Sequence, residues 1–500
     1  MGFKQISAVT AVAAMTLAST TSWALAEDMT ILVGQKKSAA YDSAKSMANG
    51  ADILAAKSLA KAFTKAGEHL KTCGVCTVDI KVAAGDFYGK GKTGHWMFPD
   101  VIAPDARLRI LGGYDDSFSA RAPFKNQTRL ITADVRGRPV LQFEGRKHAL
   151  KELYLSGLTF DVAPGNAYDA QNNSLRKDSS SSFSVLAFGY LTTDKLVIAD
   201  NTFLNAANGV AQPLMRAMSG NAQVVVRNNF VMNNIMAWKV ASASYRNLLR
   251  SYTLANNSFI LNWPYNPDPT TSNPGALEIG DKYSSAQVTI TKNLFAYNAG
   301  GGIHAQWDDV KGPPMAITDN LFWGNGSLFN SADPDAAAVL GKFNGSPRYV
   351  LLTSDDAEDF DWDVENNVSF DPGLHVQVKP FQAAGSKSAV MAAGAAAPAS
   401  AEGATAPAPA GDVDPAMAEL AALLGEDAVG DMGTGDAAAD PAPADDIYGG
   451  DEFTDLGFGE DGDVQIQGYA TRLFVDGALP FPTNAQAAGY GASADLVEQF

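Results

Sequence analysis

The chain has 500 residues, 46% of them hydrophobic and 18% charged, which excludes a wholly disordered protein and supplies apolar surface for one large core or two domains. A formal net charge of −18 excludes non-specific nucleic-acid binding through a general positive field. The charge is unevenly placed: residues 383–500 hold two basic side chains, Lys387 and Arg472, against 20 acidic ones, while residues 1–382 balance at 35 of each sign.

Lys4, the apolar run Ile6 to Ala18 and the small-x-small triplet Ala24-Leu25-Ala26 form the pattern of an export signal over residues 1–26. The run is shorter than the roughly 20 apolar residues that cross a bilayer, and no later stretch reaches that length. A periplasmic, cell-surface or extracellular protein without a transmembrane segment is expected. Met29 to Val33 reads as a strand, and Leu54, Leu59, Ala62, Phe63 and Leu70 recur at helical spacing over residues 52–70. Cys73-Gly74-Val75-Cys76 follows that helix. Its spacing fits a redox dithiol, half of a zinc site or a small disulfide; with only two cysteines in an exported chain, the Cys73–Cys76 disulfide is preferred. Val78 to Val82 alternates as a strand does, and residues 84–89 read as a turn.

The strongest signal is an internal repeat. A β-branched strand, an Asn and a Phe recur in Val197 to Phe203, Val224 to Phe230, Thr253 to Phe259, Val288 to Phe295 and Met315 to Phe322, with a weak early copy at Leu153 to Phe160 and a last one at Val364 to Val368. In the five clear copies Asn stands two residues before Phe, and the Phe residues are 27, 29, 36 and 27 apart. The strand buries alternate residues, Asn tolerates a bent backbone, and Phe re-enters the core. One copy cannot bury itself, so stacked copies are expected, with Asn amides bonded along the stack and Phe rings packed on one another.

These features resemble the right-handed parallel β-helix proteins of the pectin-lyase-like superfamily. The resemblance rests on the N-terminal helix, Ile80 to Tyr88, Leu111-Gly112-Gly113-Tyr114-Asp115 with Arg121-Ala122-Pro123, the Asn-x-Phe turns, and Phe370-Asp371-Pro372-Gly373 followed by Ser386 to Val390. It implies an all-β, right-handed parallel β-helix solenoid over residues 27–395 with an N-terminal capping helix. The signatures of the β-helix polygalacturonases, pectate lyases and mannuronan epimerases are missing, so no catalytic position carries over. Residues 396–462, rich in Ala, Pro and Asp, read as a disordered acidic linker, and 463–500 as a C-terminal segment with a strand or two.

Three strands that follow the Asn-x-Phe turns can be registered by alternation: Trp238-Lys239-Val240, Leu277-Glu278-Ile279 and Ile303-His304-Ala305. With the apolar residues inward, Lys239, Glu278 and His304 face outward on consecutive coils about 4.8 Å apart. A cation, a carboxylate and an imidazole in a column are the components of acid–base catalysis, with Lys239 neutralising charge, His304 moving a proton and Glu278 orienting it. The bland alternative is a solvated sheet face. Trp263, Tyr265, Trp307 and Asp308 lie beside the column in sequence and are candidates for binding a sugar, the aromatic rings by stacking on its face. Asp355, Asp356, Asp359 and Asp361 offer oxygen ligands for Ca²⁺ without an EF-hand pattern, and otherwise form a solvated acidic loop. No cofactor is otherwise indicated. The reading is a monomeric exported protein that binds or processes a polysaccharide or cell-surface glycan; if catalytic, it is a lyase on a uronate-containing polymer. The alternative is a non-catalytic surface or matrix adhesion protein.

Overall fold

The computed structural model describes residues 28–380, less intervening stretches that include 263–275, 306–314, 326–339 and 351–361, together with 473–475 and 479–500. The chain visits three sheets in a fixed order. An 11-stranded sheet runs from Ile53–Ala56 and Met29–Val33 through Thr77–Ala83, Ile102–Tyr114, His148–Ser156, Leu191–Ala199 and Ala222–Arg227 to Trp362–Glu365. A nine-stranded sheet runs from Gly85–Tyr88 to Val368–Ser369. The third face is built of a four-stranded sheet followed by a five-stranded one. Every pairing in the first two sheets is parallel. This is the strand arrangement of a parallel β-helix solenoid, in which each coil gives one strand to each face.

Alternation explains the core. Leu108, Leu153, Leu196, Val224, Tyr252, Val288, Met315 and Trp362 are partners in successive strands and all are buried. Each row buries what one coil alone exposes. Inside it Trp238 Nε1 donates to the Tyr252 hydroxyl at 3.1 Å, which supplies the partner that a buried indole requires.

The corners carry the repeat. Asp200, Asn228, Asn256, Lys292, Asp319 and Asn366 have φ between 54° and 58°, a left-handed conformation that turns the chain from the first sheet into the second. Each is followed by an Asn whose amide bonds to an adjacent coil: Asn201, Asn229, Asn257, Asn293, Asn320 and Asn367 form one continuous buried ladder. The ladder spacings are 28, 28, 36, 27 and 47 residues. This shifts the second clear repeat by one residue: Asn229, not Asn228, is the rung, and Val231 occupies the place of Phe203 and Phe259. Phe230 therefore faces out and meets Phe124 and Phe481 edge-on. The Phe stack survives on either side of that coil, as Phe160–Phe203 at 5.0 Å and as Phe259–Phe295–Phe322 at 5.0 and 4.9 Å.

The N-terminal part differs from its periodicity. Ile53–Ala56 is a strand beside Met29–Val33, and the helix begins only at Leu59, where the Ser58 side chain accepts from the Lys61 N–H. Pairing with an open sheet edge outweighs helical propensity there. A further helix, α1 (Ala39–Met47), precedes that strand; the second, α2 (Leu59–Leu70), packs Phe63 on Phe98 at 5.1 Å. Gly85–Tyr88 is a strand rather than a turn, because it pairs in parallel with Thr128–Ile131.

The chain end returns to the solenoid. Leu473–Val475 pairs antiparallel with Val378–Pro380, and residues 479–500 lie along the stack without forming a strand. Thr483 and Asn484 bond to Gly373 and Asp371 at the last coil, Ser493 N–H donates to Asn228, and Phe500 reaches Lys81 and Arg109 near the first. The segment covers Phe230, Leu294 and Ile260 with Leu479, Phe481, Ala487 and Ala492. Among the described residues no helix is long and apolar enough to cross a membrane. Residues 1–26 and 396–462 lie outside the described residues.

Candidate functional site

A second amide ladder fixes the corner from which the third-face strands depart. Asn234, Asn262, Asn298 and Asn325 are buried and bonded coil to coil, at 3.3, 2.9 and 2.8 Å between amides. Leu261, Tyr297 and Gly324 supply the positive φ just before three of them. From this corner leave Trp238–Val240, Leu277–Ile279 and Ile303–Ala305, which pair in parallel. The ladder holds Asn262 level with Asn234 and Asn298, and Leu277 stays in register with Trp238 and Ile303. Gly302 lets the last strand approach: a Cβ there would meet the Phe322 ring at 2.9 Å.

Trp238, Leu277 and Ile303 are consecutive partners and are all buried. The next position in each strand is Lys239, Glu278 and His304, and these too are consecutive partners. The backbone thus brings the three together at one register position on three successive coils, at the sheet spacing of about 4.8 Å. Their outward orientation concerns side chains outside the described set. Trp263, Tyr265, Trp307, Asp308, Asp355, Asp356, Asp359 and Asp361 also lie outside the described residues.

Sequence reasoning missed a buried charged cluster under the C-terminal segment. Arg121 Nε donates to Gly112 O at 3.0 Å, and its Nη1 lies 3.4 Å from Asp200 Oδ2 and 2.5 Å from Glu498 O. Ser156 Oγ donates to Asp200 at 2.8 Å and accepts from Arg121, and Asn228 Nδ2 donates to Asp200 at 2.7 Å. The Arg121 and Asp200 side chains are 1% and 0% exposed, so this Ser-Arg-Asp group is closed to substrate and ties the corner to the C-terminal strap, residues 479–500. Around it, Glu498 accepts from the Tyr154 hydroxyl and from Arg227, and Phe500 lies under Arg109 and Arg121. Burial first, and then the bond to Glu498, pushes the Tyr154 hydroxyl well above its ordinary pKa. The spacing that could have revealed the second ladder is a constant offset of five from rung Asn to second Asn at 229/234, 257/262, 293/298 and 320/325. Nothing comparable marks the strap.

At the N-terminal end of the stack Cys73 and Cys76 are joined as a disulfide, with His69 beside them. Compared with models of known protein families, with curated proteins and with solved structures, the chain matches none.

Proposed function

We propose that the chain is an exported right-handed parallel β-helix, capped at its N-terminal end by α2, that binds and processes an extracellular polysaccharide at Lys239, Glu278 and His304. The observation that carries this reading is the register Lys239–Glu278–His304 on consecutive strands, because it gathers a cation, a carboxylate and an imidazole at one register position on three successive coils, within the length of about two sugar residues. The reaction that uses all three groups is β-elimination on a uronate polymer. Lys239 offsets the carboxylate charge, which lowers the cost of the carbanion-like intermediate; His304 removes the proton α to the carboxylate; Glu278 holds the imidazole in its basic tautomer. The pair of electrons left on carbon forms a C=C bond as the glycosidic C–O bond breaks, and the leaving oxygen takes up the proton that His304 carries. Right-handed crossovers agree with the general preference of parallel β-connections.

The test is incubation of the full chain with uronate-containing polymers while following the ultraviolet absorbance of the unsaturated product. Turnover by the parent, lost in His304→Ala and in Glu278→Gln with far-ultraviolet circular dichroism unchanged, is the expected result. Full activity in both variants contradicts it.

A further inference from the structure

The sheet stack begins beside a cluster of soft ligands that the polysaccharide reading does not use. His69 stands in the last turn of α2, and the chain then curls back, with Cys73 N–H donating to His69 O at 3.0 Å. Gly74 takes φ 70°, with open space around it, and Val75 is 70% exposed at the tip. Cys76 stands just before the strand Thr77–Ala83, where its carbonyl accepts from Arg107 N–H at 2.8 Å. A ligand atom of His69 and the two sulfurs all lie within 4.8 Å of one another, and no other group among the described residues gathers three such donors.

We propose that His69, Cys73 and Cys76 form a redox-gated site for one Zn²⁺-class ion: closed while the cysteines are a disulfide, open when they are thiols. Tetrahedral zinc with Zn–S near 2.3 Å sets its sulfurs about 3.8 Å apart, and a sulfur and an imidazole nitrogen slightly closer. The opened pair reaches that separation by rotating two side chains on a glycine-containing turn. The donors come from a helix end and a strand start, which hold them in place. The C-terminal end of a helix carries negative partial charge, which favours a cation over a free thiolate pair. The chain has two cysteines in all, so the dithiol has no rival partner within the molecule. A fourth position stays open to water.

Opening needs a reductant, a dithiol in a cell or a phosphine in the test. With a phosphine the S–S bond breaks, two S–H bonds form from the hydrogens of one water, and the phosphine leaves as its oxide. Binding then releases two protons as the thiols become zinc thiolates and the imidazole donates its lone pair.

The experiment titrates Co²⁺ into the full chain, oxidised and phosphine-reduced, without oxygen, and then displaces it with Zn²⁺. The reduced chain is expected to bind one ion with the charge-transfer absorption of cobalt thiolates, and the oxidised chain none. Cys76→Ser should abolish binding, His69→Ala should weaken it by about tenfold or more, and Thr72→Ala should leave it unchanged. A reduced chain that binds no stoichiometric ion, or a folded His69→Ala variant that binds as tightly as the parent, overturns the site. Should His69→Ala unfold, the imidazole resonances of the reduced parent decide: a His69 ring shifted by Zn²⁺ supports the site, and an unmoved ring overturns it.

Discussion

Replacing Asn257 by alanine removes one rung from the inner amide ladder. The Asn257 side chain is fully buried and makes four hydrogen bonds. Its Oδ1 accepts from Asn229 N–H at 3.1 Å and from Asn229 Nδ2 at 2.8 Å, and its Nδ2 donates to Val226 O at 3.0 Å and to Asn293 Oδ1 at 3.0 Å. Asn229 Nδ2 keeps its bonds to Ile198 O and Arg227 O, but its backbone N–H is left inside the stack with no acceptor. At about 1 kcal/mol net for each bond, with one orphaned buried donor adding about 1 kcal/mol, the loss comes to about 4–5 kcal/mol. That is a large fraction of the roughly 5–15 kcal/mol that holds an ordinary domain together. Urea unfolding followed by circular dichroism should show the midpoint falling at unchanged slope. Thr289→Ala, on the outward side of the neighbouring strand, should cost less than about 0.5 kcal/mol. Equal midpoints for the two variants would refute the view that the ladder holds coil to coil.

Arg121→Met strands the fully buried Asp200 carboxylate, and should cost about 3–5 kcal/mol in the same assay, whereas an exposed arginine would cost little. Deleting Leu479 to Phe500 uncovers Phe230, Leu294 and Ile260, and should raise the binding of an apolar dye and lower the melting temperature; an unchanged dye signal would show that the strap covers nothing. Burial pushes the Tyr114 hydroxyl up to about 12 and raises Tyr252 despite the bond from Trp238. The unfolded chain therefore loses these protons first, so their contribution is complete below the ordinary tyrosine pKa of about 10 and is lost as pH climbs from there toward 12. Stability measured across that interval should fall, and fall less in Tyr114→Phe.

What could be read in the sequence is what repeats. Inward rows such as Leu254, Ile290 and Ile317 follow from strict alternation, and the three-residue strands that carry Lys239, Glu278 and His304 have the register that alternation gives. The misplaced rung at Asn228 arose because Asn228 and Asn229 are adjacent and Phe230 stood at the expected distance; spacing alone does not say which of two amides enters the stack. The second ladder was present as an offset of five but lacks an aromatic marker. Residues 479–500 were unreadable for a different reason: their partners, from Lys81 to Gly373, are spread from the first coil to the last and follow no period in the segment itself. The strand Ile53–Ala56 was hidden by apolar spacing that also suits a helix, and only the free edge of Met29–Val33 decides between them.

On the proposed function a uronate glycan is recognised at the Lys239–Glu278–His304 column. Titration calorimetry of a uronate oligosaccharide against the parent and Lys239→Ala tests it most directly. Measurable binding by the parent, weakened about tenfold or more when the cation is removed, is the expected result; no binding by the parent, or equal affinities in the two proteins, would rule the glycan site out.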